Sequence, residues 1–127
     1  MIAASAGLLT VCITELSLEK VKARALEHFD VVRSTNIDEL ETALSRSKSA
    51  HILIEGFLNS LYDRKISTRD ASRALGRLKT RLEELASAGV EIVVLCNAST
   101  EGLGPRSHFL PSLCVAADRV VTELLAA

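Results

Sequence analysis

The sequence predicts an α/β fold: a single three-layer domain, residues 1–127, built on a mostly parallel five-stranded sheet. Three observations lead there. The runs His51-Ile-Leu-Ile-Glu55 and Val90-Glu-Ile-Val-Val-Leu-Cys96 are nearly continuous in apolar, largely β-branched residues, the pattern of strands buried on both faces. Between them lies one long amphipathic stretch, which makes a strand, crossover helix and strand unit. The chain has 127 residues, 48% hydrophobic and 24% charged, enough for one core and too apolar for disorder.

The elements follow in order. Leu8–Thr14 is an apolar run that ends at Glu15 and reads as a first buried strand. Ser17 caps a helix whose apolar positions Leu18, Val21, Ala25 and Phe29 recur at helical spacing. Asp30–Ser34 is a short second strand, expected at an edge. Thr35 or Asn36 caps a helix through Ser45, with Asp38, Glu39 and Glu41 near the positive end of its dipole and Ile37, Leu40 and Leu44 as its buried stripe.

The third strand is His51–Glu55, and Gly56–Ile66 follows it without a periodic signal. Ser67-Thr-Arg-Asp70 is a capping box that opens the longest helix, to about Ala88. Its stripe is Ala71, Leu75, Leu78, Leu82 and Leu85, and Gly89 stands as the residue that ends it. Val90–Cys96 is the fourth strand. A loop over Asn97–Pro105 precedes a short helix, Phe109–Ala117, broken at its start by Pro111, and Asp118–Leu124 is the fifth strand. Right-handed crossovers favour the strand order 2-1-3-4-5.

Composition excludes several function classes. Net charge is −1, from 15 basic and 16 acidic residues, so there is no global footprint for nucleic acid. Aromatics are 3%, which leaves few platforms for stacking bases. Three cysteines without metal spacing read as reduced thiols in a cytosolic protein. His28, His51 and His108 are scattered, and no Cys/His spacing matches a zinc site, so neither metal nor cofactor is expected. No segment approaches the roughly 18 consecutive apolar residues of a membrane span.

Ligands of open α/β sheets bind beyond the carboxyl ends of the strands. Those ends carry Glu15, Glu55 and Asn97. Two carboxylates and an amide on one rim form a candidate catalytic set, able to hold Mg²⁺ or orient a water. The other reading is that each simply stops an apolar strand at solvent. A second candidate surface is basic. Arg69, Arg73, Arg77 and Arg81 recur at i, i+4 along the long helix, and Tyr62, Arg64 and Lys65 sit in the turn before it. They read as a site for an acidic partner or phosphate backbone, or as a solvated face braced by Asp70, Glu83 and Glu84.

Residues 8–124 resemble the second half of a RecA-type recombinase core, in the RecA/RadA and KaiC-like superfamily. Leu9-Thr-Val-Cys-Ile-Thr-Glu15 resembles the strand that supplies that family's catalytic glutamate. Ile52-Leu-Ile-Glu55 resembles its Walker B strand, with Glu in place of Asp. Val90–Asn97 resembles the strand ending in Thr-Asn-Gln, from which Cys96 and Ala98 depart. The resemblance implies a DNA-contacting loop near Tyr62, Arg64 and Lys65. The chain contains no G-x-x-x-x-G-K-[ST], and none of its six glycines is followed by Lys. ATPase activity is therefore not expected.

The expectation is a RecA-like scaffold or accessory protein of DNA recombination or repair that acts through protein association. It would be a homodimer or a partner of another chain, such as a P-loop ATPase, with at most weak nucleic-acid binding and no membrane contact. The alternative is a metal-dependent enzyme on a small phosphorylated substrate, using Glu15, Glu55 and Asn97.

Overall fold

The structure, a computed structural model, describes residues 7–14, 28–33, 36–97 and 102–123. It is an α/β fold built on a five-stranded, all-parallel sheet, and the described helices pack on one of its faces. The described elements are β1 (Leu9–Thr14), β2 (Asp30–Arg33), α1 (Ile37–Arg46), β3 (His51–Glu55), α2 (Phe57–Leu61), α3 (Thr68–Ser87), β4 (Glu91–Cys96), a 3₁₀ turn (Gly104–His108), α4 (Phe109–Ala116) and β5 (Arg119–Glu123). The expected helix after Ser17 and the strand tip at Glu15 lie outside the described residues.

Local chemistry sets the helix ends where the sequence places them. Asn36 Oδ1 accepts the Glu39 N–H at 2.9 Å and starts α1. Ser67 Oγ accepts the Asp70 N–H at 3.0 Å and starts α3. At the far end of α3, Val90 N–H donates to the Leu85 carbonyl and Gly89 N–H to that of Ala86, each at 3.0 Å. This Schellman pair needs a left-handed residue, and Gly89 supplies it at φ 97°. Pro111 does not break α4. It occupies the first turn, where its missing N–H leaves no bond unmade. Two short helical pieces, α2 and the 3₁₀ turn, fall in stretches without a periodic signal, because five residues are too few to show one.

The strand order is β2-β3-β4-β1-β5, not 2-1-3-4-5. β2 is at an edge as expected, but β1 lies between β4 and β5, and β4 separates it from β3. A strand buried on both faces fits any interior slot, so hydrophobicity alone does not choose its neighbours. The choice is made by close backbone docking at residues 7–9. Gly7 N–H donates to the Ala86 carbonyl at 2.8 Å, and Ile92 N–H to that of Leu8 at 2.8 Å. Leu9 N–H donates to Asp118 Oδ2 at 2.8 Å, and Asp118 N–H returns to the Leu9 carbonyl at 2.8 Å.

Helices α1 to α4 share one large core on one face of the sheet. Leu40, Leu44, Phe57, Leu61, Leu78, Leu82 and Phe109 pack there on Val11, Ile52, Ile54, Ile92 and Val94. Burying each such leucine or isoleucine stabilises the fold by about 2 kcal/mol relative to exposure. The other face holds a smaller cluster of Cys12, Phe29, Leu53 and Val93. The alternation along each strand therefore assigns side chains to faces: even positions of β3 and β4 meet the described helices, and odd positions look the other way.

Candidate functional site

The chain leaves β1 for one edge of the sheet and leaves β4 for the other, so the order reverses between these two neighbours. The carboxyl ends beside such a reversal are where open α/β sheets place ligands. A cleft of about 260 Å³ opens at this rim. Gly56, Asn59, Tyr62, Cys96, Asn97 and Leu103 line it, and among the described residues no charged one does.

Each wall has a local cause. Gly56 turns the chain from β3 into α2 at φ 85°, in the left-handed region that favours glycine. Ser60 Oγ donates to the Gly56 carbonyl at 3.0 Å and ties the first turn of α2 to that corner. Tyr62 lies parallel to Phe109, with ring centroids 6.2 Å apart. Burial, and then the nearby Cys96, raises its phenol pKa. Tyr62 thus packs against the core and presents one side to the cleft, rather than standing free as a base-stacking platform.

The rim residues are only partly gathered. Asn97 lines the cleft, one position past the pairing of Ile13 with Cys96, beside the tip of β1. Glu55 is not among the residues that line the cleft, and its Oε1 is 3.4 Å from Arg33 Nε of the edge strand β2. Glu15 lies outside the described residues.

Cys96, a buried thiol, lines the cleft. Burial, helped by the neighbouring thiols of Cys114 and Cys12, pushes its pKa from 9.0 up to about 12. It is therefore a protonated thiol and a poor nucleophile at neutral pH. The unfolded chain releases this proton near pH 9, the folded chain near pH 12. The stability it lends is full below pH 9 and declines as pH rises from there toward 12. Two results are expected: native Cys96 resists iodoacetamide at pH 8, and Cys96→Ala flattens the fall in stability above pH 9. Rapid alkylation of the native protein at Cys96, mapped by mass spectrometry, would contradict the assignment.

The basic stripe of α3 is largely used inside the fold. Arg77 forms a two-point pair with Glu41 of α1, Nη2 to Oε1 at 2.9 Å and Nε to Oε2 at 3.3 Å. Its pKa is raised first by this hydrogen bond. Arg81 Nη2 donates to the Leu44 carbonyl at 3.3 Å, in the last turn of α1, and Lys79 donates to Ser112 Oγ of α4 at 2.9 Å. Bracing thus comes from α1 and α4. Arg73 and Arg77 line a second groove, of about 360 Å³, between α1, α2 and α3, together with Asp38, Asp63 and Asp70. A phosphate there would meet three carboxylates. Arg69 and Lys65 are exposed, and Arg64 reaches the Gly102 carbonyl at 3.5 Å.

No family model, no curated protein and no solved structure matches this chain. Among the described residues, no helix is long and apolar enough to cross a membrane.

Proposed function

We propose that this chain is a RecA-like accessory module that does not hydrolyse nucleotide and acts by associating with protein in DNA recombination or repair. The favoured association is a homodimer, and a P-loop ATPase chain is the other class of partner. The observation that carries this reading is the outer edge of the sheet. β5 pairs with β1 alone among the described residues, Val120 on it is 44% exposed, and Val115 on the adjacent α4 is 86% exposed. A parallel edge strand offers unpaired backbone groups to another chain. A net charge of −1 puts little repulsion between two copies.

The cleft at the strand tips supports the non-hydrolysing half of the proposal. Among the described residues its lining gives a triphosphate no cation, and the sequence has no P-loop to replace one. The metal-dependent alternative is less well supported, because Glu55 already pairs with Arg33.

Sedimentation at about 100 μM is expected to give a dimer that Val120→Lys converts to monomer, since an edge lysine opposes strand pairing. Mg-ATP is expected to give no binding heat in the micromolar range and no turnover above background. A monomer at that concentration removes the homodimer, and micromolar binding with turnover removes the non-hydrolysing assignment.

A further inference from the structure

The amino-terminal edge of the sheet, opposite the cleft, gathers three side chains that are far apart in sequence. His51 opens β3 and Glu91 opens β4, and the two are register partners. His28 stands two residues before β2, the strand on the other side of β3. One ligand atom from each of His28, His51 and Glu91 lies within 4.8 Å of the others. His51 Nδ1 is 3.0 Å from Glu91 Oε1, and the His28 and His51 rings meet edge to face at 5.0 Å.

We infer that His28, His51 and Glu91 form a binding site for a divalent transition metal, with zinc the ion that a set of two imidazoles and one carboxylate suits. Two imidazoles and one carboxylate are a ligand set that zinc takes with a fourth position left to water. The spacing has a structural origin. Neighbouring strands lie about 4.8 Å apart, so the register partners His51 and Glu91 hold their side chains at nearly that separation, and the chain entering β2 brings His28 beside them. Tetrahedral ligands about 2.1 Å from a zinc ion are about 3.4 Å from one another, so small side-chain rotations close the set.

The ion takes the place of the His51–Glu91 hydrogen bond, with the remaining ring proton of His51 carried on Nε2. The His51 and Glu91 side chains are 45% and 37% exposed, which gives an ion and its water a way in. Phe29, almost fully buried, packs its ring 4.7 Å from that of His28 and 5.2 Å from that of His51. This apolar backing restrains both imidazoles. Cys96 does not compete, because it is buried at the other end of β4 and holds its proton. The site stands independently of the proposed scaffold role.

Calorimetric titration of the full chain with Zn²⁺ at pH 7.5 tests the inference. One equivalent is expected to bind with Kd about 10 μM or tighter. His28→Ala, His51→Ala and Glu91→Gln are each expected to weaken binding by about tenfold or more. His108→Ala, outside the cluster, leaves it unchanged. Co²⁺ is expected to show tetrahedral absorption without a thiolate charge-transfer band. If His51→Ala fails to fold, His28→Ala, at an exposed position, still decides the matter. The inference falls if zinc does not bind at millimolar concentration, if binding survives His28→Ala unchanged, or if cobalt shows thiolate ligation.

Discussion

Arg106→Ala is expected to destabilise the fold by about 2–4 kcal/mol, because it leaves several carbonyls without a donor at once. The Arg106 guanidinium reaches back from the 3₁₀ turn to the segment between α2 and α3. Nη1 donates to the Leu61 carbonyl at 3.0 Å and to that of Asp63 at 2.7 Å. Nη2 donates to the Ile66 carbonyl, and Nε to Thr68 Oγ1 at 3.2 Å. These groups sit where α2 ends and α3 begins, and the chain between has no ladder of its own. One planar fork of five N–H donors meets all four acceptors, which a lysine ammonium with three cannot do. Arg106→Lys should therefore recover less than half of the loss. Urea denaturation of the two variants measures this. A variant Arg106→Ala within about 0.5 kcal/mol of wild type would show that the clamp contributes nothing beyond an ordinary surface residue.

Gly7→Ala is expected to be nearly as damaging as Gly7→Val, each lowering stability by about 3 kcal/mol or more. A Cβ at residue 7 would lie 2.0 Å from the Val90 carbonyl oxygen and 2.5 Å from its carbon. The clash belongs to the first side-chain atom and meets backbone, so no rotamer relieves it. The chain must instead move away from Val90, and the bonds from Gly7 to Ala86 and from Ile92 to Leu8 stretch with it. β1 then loses its seat beside β4. Denaturation midpoints, with hydrogen exchange at the β1 amides, measure the effect. A Gly7→Ala protein within 1 kcal/mol of wild type, with β1 still protected, would mean that the contact relaxes without disturbing the strand.

Much of the fold was legible because it depends on neighbours in sequence. The Asn36 and Ser67 caps, the Gly89 stop and the Ala71 to Leu85 stripe act within one or two helical turns, and all form as read. The five apolar runs form parallel strands. The candidate site was less legible. Strand tips were identifiable, but Glu55 pairs with Arg33 of the edge strand while Asn97, just past the end of β4, lines the cleft. Tyr62 and Arg77 read as exposed recognition residues, yet partners forty-seven and thirty-six positions away hold them, Phe109 and Glu41. His28, His51 and Glu91 look scattered in sequence because their relation is across strands, where sequence spacing carries no signal.

By itself the sequence determined the α/β class, the boundaries of α1 and α3, the edge position of β2 and the absence of a phosphate-binding loop. These follow from side-chain periodicity, capping hydrogen bonds and residue identity, all short-range properties of the chain. Only the tertiary structure decided that β1 enters between β4 and β5, that a cleft opens at Asn97, and that His28, His51 and Glu91 meet. Those outcomes depend on which backbones approach closely enough to pair. A glycine facing a carbonyl across the sheet, as Gly7 faces Val90, settles that where hydrophobicity does not.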